Sequence, residues 1–476
     1  MNTEQKRIIR VLFLLSIMFI SLIVYLTYFQ IFQAEKVKTS SYNKRPLGNE
    51  YVLRGSIYDR NETVLSYSTK ADDQKQIRHY EYDNLYSHII GYYDERYGTS
   101  GLEKSFNSTL TQSNIIDDVR NVFFEILDAF KVNEDKIPIK KESEGNSLIL
   151  TIDHDLQKYS RKQLGNKKGS VVAINPQTGD ILTMVNSPDF NPNNLRDSWE
   201  NISTSENKPL INRSTEGLYT PGSIYKLITT TGALETPGVT TKFNCEGKIN
   251  IGGYPLTDHR AHGEVDLSEA LQESCNISFG QIGAQLGEEG LKDISQKFMF
   301  NTNIPFDINT KQSKFPTDGM DKAELGATGI GQGELLVTPL NMALMTSAIA
   351  NNGRMMTPNL VQKVINTNGT VLKKSEPKVL STVTTPEIAN NITEMMTEVV
   401  NSGTGTNAQI KGIKVAGKTG TAQNPGEDHA WFVAFAPADN PRIAIAVLLE
   451  NSGGTGGSNA APLARNIMIE ALNKYK

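Results

Sequence analysis

The sequence predicts an α+β protein: an antiparallel sheet with an inserted helical subdomain, preceded by a small polar module and one transmembrane helix. Three observations carry this. Runs rich in β-branched residues, broken by turn residues, lie at both ends of residues 147–476; helical apolar spacing fills the interval; and a charge-free apolar run sits near the N-terminus. Hydrophobic residues make up 38% of the 476 and charged residues 21%, enough apolar material for a packed core. With 48 Lys and Arg against 52 Asp and Glu there is no basic excess, so a nucleic-acid partner is not expected.

The N-terminal run carries no charge between Arg10 and Glu35. Residues 11–32 therefore read as a single membrane anchor after a short N-terminal tail, 1–10, which is cytoplasmic if the rest lies outside, since about 20 apolar residues span a hydrocarbon core. A cleaved signal would be shorter and end in small residues, whereas this run ends in Tyr25-Leu-Thr-Tyr-Phe-Gln-Ile-Phe32. Lys6, Arg7 and Arg10 precede it, and Lys36, Lys38, Lys44 and Arg45 follow, so charge alone does not orient it. Residues 33–146 form a polar, Tyr-rich module ending in 131–146, where eight of sixteen residues are charged.

The domain of residues 147–476 opens with Ser147-Leu-Ile-Leu-Thr-Ile-Asp153. A hairpin follows, Ser170–Asn175 and Asp180–Val185 around the turn Pro176-Gln-Thr-Gly179. Helical spacing marks Ser223–Leu234, Leu267–Leu286, Leu340–Asn351 and Thr385–Asn401. Val415–Gln423, Ala430–Phe435 and Arg442–Leu449 read as three strands joined by loops short enough for antiparallel neighbours. The closing segment, Ala460–Lys474, places Ala464, Ile467, Met468, Ala471 and Leu472 on one helical side. Strands at both ends imply a sheet that closes the start of the domain against its end.

Chemistry concentrates at Ser223-Ile-Tyr-Lys226. On a helix, a three-residue offset sets hydroxyl and amine on one face. A serine is a weak nucleophile until a neighbouring base takes its proton, and a lysine can be that base only where burial or a second cation makes it neutral. Thr220-Pro221-Gly222 supplies a cap and a first-turn proline, which places Ser223 at the helix start. S-x-x-K also occurs at Ser41, Ser205 and Ser375, so the motif alone is weak. Its order adds specificity: Ser274-Cys275-Asn276 follows between helical stretches, and Lys418-Thr419-Gly420, the single K-T-G, lies in a predicted strand.

This ordered set resembles that of penicillin-binding proteins and serine β-lactamases. Arg54-Gly-Ser-Ile-Tyr-Asp-Arg-Asn61, Gly101-Leu-Glu103, Leu150-Thr-Ile-Asp153, Gly331-Gln-Gly333 and Lys418-Thr-Gly-Thr-Ala422 extend the likeness to a class B penicillin-binding protein of the short, penicillin-binding protein A-like type. The resemblance implies a transpeptidase-type domain with helices on both faces of its sheet, carried on a pedestal at 33–146. It implies a peptidoglycan D,D-transpeptidase that crosslinks stem peptides through an acyl-enzyme on Ser223 and is acylated by β-lactams. Lys226 is then the base, Ser274 a proton relay to the departing D-Ala, and Asn276 a hold on Lys226 and the substrate amide. Lys418 with the hydroxyls of Thr419 and Thr421 binds the donor carboxylate, Gly420 lets the peptide lie along the strand edge, and the N–H groups of Ser223 and Thr421 receive the oxyanion. An extracytoplasmic catalytic domain and a SEDS-type glycosyltransferase partner at the membrane are also implied. Arg54–Asn61 is expected to be pedestal structure, and Glu103 to buttress the two modules.

Two alternative functions share the residues. A D,D-carboxypeptidase or β-lactamase would resolve the acyl-enzyme with water, but no E-x-x-L-N pattern lies between Asn276 and Lys418. A β-lactam sensor or inactive scaffold would bind without turnover. No metal or other cofactor is expected. Cys245, Asp258, His259, His262 and Cys275 are nevertheless a permissible zinc set; free thiols, a disulfide and a zinc site all remain open, with free thiols the expectation. Glu427-Asp428-His429 reads as a solvated hairpin loop.

Overall fold

The computed structural model describes residues 3–29, 52–72, 75–112, 144–316, 319–424 and 426–475. The end of the apolar run, 30–32, the cations that follow it and most of the charged stretch 131–146 lie outside the described residues. The chain divides into two units. The first contains the helix Thr3–Tyr28, of which Arg10–Tyr28 is long and apolar enough to cross a membrane. At about 1.5 Å per residue its 19 residues span roughly 28 Å, and their apolar side chains are exposed.

The second unit, from Leu53 onward, is built on two large sheets. The central one has five strands in the order Ala416–Ala422, His429–Ala436, Ile443–Leu449, Gly169–Ile174, Ile181–Ser187, antiparallel throughout. The domain's first hairpin thus closes against its last strand. Every residue of Ile443–Leu449 is buried, so both faces must be covered. Side chains alternate accordingly: Ala444, Ala446 and Leu448 pack in the core that contains the helix Pro339–Ala350, whereas Ile445, Val447 and Leu449 meet Ala464, Ile467 and Met468 of the closing helix Ala461–Lys474. Pro339–Ala350 is buried all round, and Thr338 caps it by accepting from Asn341 N at 3.2 Å.

The inserted subdomain holds the helices Lys226–Glu235, Leu267–Gln272, Asn276–Lys297 and Lys322–Gly329 with two small hairpins. The single helix expected over Leu267–Leu286 is two helices, because the chain breaks at Ser274, whose φ is 59°. Cys275 restarts the helix as its N-cap, Sγ accepting from Ser278 N at 3.4 Å. Apolar spacing continues across the break and conceals it. The cap expected at Thr220 is also absent: Gly222–Tyr225 forms a 3-10 turn after Pro221, and no side chain caps it.

The second sheet has six strands and crosses the 146/147 boundary. Its order is Val371–Lys374, Val361–Ile365, Ser147–Leu150, Ile57–Tyr58, Val64–Asp72, Lys75–Tyr80. Ser147–Leu150 pairs in parallel with Ile57–Tyr58 and antiparallel with Val361–Ile365. The polar module therefore shares a sheet with the domain that follows.

Glu103 ties together the polar module itself rather than two modules. Its carboxylate receives Arg54 Nε and, at 2.7 Å, Arg78 Nε, while Arg78 Nη1 donates to Gly55 O at 2.9 Å. All three side chains are buried. Glu103→Ala strands two guanidinium groups away from water and should destabilise the fold by about 3–5 kcal/mol. Chemical unfolding measures this, and a loss below about 1 kcal/mol would show that the pair is dispensable.

Candidate active site

Ser223 is presented by a segment whose backbone is tied down residue by residue. Tyr219 exchanges both backbone hydrogen bonds with Val337, at 3.0 and 2.8 Å, and Trp431 Nε1 donates to Thr220 O at 3.0 Å. Gly222 N donates to Gly331 O at 2.9 Å. These tertiary partners do the work that a Thr220 cap would have done. Gly222 has φ +57°, and a Cβ there would sit 2.6 Å from Thr421 O, so only glycine lets the turn lie against the K-T-G strand. The side chain of Ser223 is left half-buried one residue further on.

Lys226 opens the following helix and is fully buried. Its Nζ donates to Ser274 O at 2.6 Å and Asn276 Oδ1 at 2.8 Å, and lies 3.3 Å from Ser274 Oγ. Two of these acceptors are carbonyl oxygens, which can only accept. As a free amine Lys226 satisfies both with its two N–H groups, and its lone pair remains for a hydroxyl. Burial lowers Lys226 to about 8, against the opposing pull of Asp258 and Cys275. Among the described residues no hydrogen bond joins Ser223 Oγ to Lys226 Nζ. The pair share a turn as the spacing implies, but the Ser-x-Asn carbonyls draw the amine toward themselves.

Lys418 reaches the same hydroxyl from the other side. Its Nζ donates to Ser274 Oγ at 2.8 Å and to Thr419 O at 3.0 Å. It is fully buried, and burial together with the charge of Lys226 pushes it well below the usual lysine range. Ser274 therefore stands between two amines. Its positive φ is held by Ser274 N to Leu271 O at 3.2 Å and Cys275 N to Ala270 O at 2.8 Å. Asn276 is fixed by donating its N–H to Asp258 Oδ2 at 2.7 Å and its Nδ2 to Thr257 O at 3.1 Å.

The strand Ala416–Ala422 is the edge of the central sheet, with one side paired to His429–Ala436. Its other side pairs with no strand among the described residues. Thr421 is half-buried, and Thr419 is 7% exposed with Oγ1 2.7 Å from Thr404 Oγ1. At Gly420 a Cβ would meet Ile224 Cγ2 at 3.0 Å and Pro221 O at 3.1 Å. The missing side chain thus admits the nucleophile turn, a packing reason distinct from passage of a peptide.

Behind the Ser-x-Asn turn, ligand atoms of Cys245, Asp258, His262 and Cys275 all lie within 4.8 Å of one another. Cys245 Sγ is 3.3 Å from His262 Nδ1 and 3.8 Å from Asp258 Oδ2. His262 Nε2 is buried without a hydrogen-bond partner among the described residues. Two sulfurs, an imidazole and a carboxylate make a donor set that fits zinc. His259 is exposed and falls outside this set, in a second group with the half-buried His262 and Glu273. Asp258 was visible in the sequence only as a metal candidate; its bond to Asn276 makes it a support of the Ser274–Asn276 turn. Nor did any local pattern single out Trp431 or Thr404. His429 accepts from Asn451 N at 3.2 Å and stacks edgewise on Tyr219, away from the two lysines.

Residues 169–469 match the family model described as penicillin binding protein transpeptidase domain, and residues 54–128 that of the penicillin binding protein A dimerisation domain. The chain is 30% identical to the peptidoglycan D,D-transpeptidase PbpA of Mycolicibacterium smegmatis, with 100% of both chains covered. It is 28% identical to the peptidoglycan D,D-transpeptidase MrdA of Acinetobacter baumannii over 91% of this chain and 71% of that one. Penicillin-binding protein A from M. tuberculosis, solved as a ceftriaxone acyl-enzyme complex, aligns with a TM-score of 0.79 at 30% identity, covering 88% of this chain and 98% of that chain.

Proposed function

The chain belongs to the penicillin-binding protein transpeptidase family, and we propose that it is a peptidoglycan D,D-transpeptidase whose acyl group is carried by Ser223. The observation that carries the assignment of roles is the convergence of Lys226 and Lys418 on Ser274, with Asn276 accepting from Lys226, beside the turn that presents Ser223.

Ser223 Oγ attacks the carbonyl carbon between the two terminal D-alanines of a donor stem peptide, and its proton passes to the free amine of Lys226. The opening C=O becomes an oxyanion received by the N–H groups of Ser223 and Thr421, donors of a kind worth roughly 10²- to 10³-fold in rate. The C–N bond then breaks, and the departing D-Ala nitrogen takes its proton from Ser274, which Lys226 replenishes. An acceptor amine attacks the ester and gives its proton to Lys226, which passes it to Ser223 Oγ as the ester C–O bond breaks and the crosslink forms. A β-lactam follows the first half and stops at the ester. Lys418, Thr419 and Thr421 hold the donor carboxylate, whose negative charge supplies the counter-ion Lys418 otherwise lacks.

The base must be neutral, and burial holds Lys226 at about 8. Labelling of the full chain by a fluorescent penicillin should therefore accelerate about tenfold per pH unit up to roughly pH 8 and level off above it. Ser223→Ala should take no label at any pH. A flat profile between about pH 6 and 9, or label retained by Ser223→Ala, would contradict this mechanism.

On this reading Arg10–Tyr28 crosses the membrane once, with everything beyond the anchor outside the cytoplasm where peptidoglycan lies. Residues 33–146 serve as pedestal to the catalytic domain of residues 147–476. The partner is a SEDS-type glycosyltransferase met through anchor and pedestal; the support for it is family resemblance. Against the expectation of free thiols, Cys245, Asp258, His262 and Cys275 are the residues that would hold a zinc ion, which would brace Asp258 against Asn276. Metal analysis of untagged protein should then find about one zinc per chain, lost in Cys245→Ser; folded, active, zinc-free protein would refute the metal.

A further inference from the structure

We propose that Thr404 is a positioning residue for the donor's terminal carboxylate, acting through the hydroxyl of Thr419. The inference rests on the transpeptidase reading, in which Thr419 receives that carboxylate.

Thr404 lies 15 residues before Thr419 in sequence, just after the helix Pro386–Asn401. Its Oγ1 is nevertheless 2.7 Å from Thr419 Oγ1. The contact is set by backbone. Thr404 N donates to Gln272 O at 3.4 Å, and a Cβ on the preceding Gly403 would lie 2.5 Å from that same oxygen. From the other side Gly457 comes so close that a Cβ there would be 2.4 Å from Thr404 O. That Cβ would also lie 3.5 Å from Thr419 Cγ2, so the threonine methyl faces Gly457 and the hydroxyl faces Thr404. The turn cannot drift, and the two hydroxyls stay in register. Thr419 Oγ1 makes no other hydrogen bond among the described residues.

A threonine hydroxyl has one hydrogen and two lone pairs, and a carboxylate only accepts. Thr419 can serve the donor only with its hydrogen turned outward. Either hydroxyl of the pair can donate; once a carboxylate takes the hydrogen of Thr419, Thr404 places its own O–H on a lone pair of Thr419, which also polarises Thr419 into a better donor. Substrates that end in an uncharged group gain less from this arrangement, so Thr404 contributes to selectivity for a free carboxylate.

The test compares acylation of the full-length chain by benzylpenicillin and by its carboxamide, read as the ratio of second-order rate constants. The wild type should prefer the carboxylate. Thr404→Val and Thr404→Ala should each cut that preference about tenfold, and Thr404→Ser should keep it. A preference left intact in either hydroxyl-free variant that folds overturns the role of Thr404. So does an equal loss on both β-lactams, which a packing role would produce. Absence of any preference in the wild type would instead remove the carboxylate seat itself, and the present inference with it.

Discussion

Two buried amines share one hydroxyl, and the rest of the site is arranged around that fact. Lys226 and Lys418 are both fully buried, both reach Ser274 Oγ, and neither forms an ion pair among the described residues. Burial in so dry a place lowers the proton affinity of both amines, and the charge of Lys226 lowers that of Lys418 further. The arrangement divides labour. In the proposed mechanism, one amine stays neutral to accept a proton, while the other meets the negative charge of the donor carboxylate.

Holding that cluster requires segments distant in the chain. The nucleophile turn rests on the K-T-G strand because neither Gly222 nor Gly420 carries a Cβ. Ser274 points between the lysines because a helix is interrupted there, and Asp258 fastens the restart through Asn276 N. The central sheet, covered on both faces, supplies a rigid edge strand. A site built from parts of several elements depends on the whole core, which is why the supporting contacts are mostly backbone to backbone or backbone to side chain.

Much of this was legible in the residues, and the exceptions have physical causes. The central strands announce themselves because they are buried and rich in β-branched residues, as in Ile443–Leu449. Ser223 and Lys226 could be placed on one turn from spacing alone. The break at Ser274 could not, since the apolar period runs through it. The six-stranded sheet escaped notice because one of its members, Ile57–Tyr58, has only two residues and pairs with strands far along the chain. Asp258, Trp431 and Thr404 matter through contacts across the fold, and no local pattern encodes such contacts. The direction of the Lys226 amine, toward carbonyl oxygens rather than Ser223, is likewise a tertiary outcome.

The protonation state of Lys226 is the claim from which the mechanism descends, and it can be observed without catalysis. NMR titration of the full chain carrying ¹³C at lysine Cε, with the Lys226 signal assigned by its loss in Lys226→Arg, reads that amine alone. A neutral base requires a midpoint near the value of about 8 to which burial lowers it. A midpoint at the ordinary lysine value of about 10.4 would mean the amine is a cation at neutral pH and cannot be the base that activates Ser223.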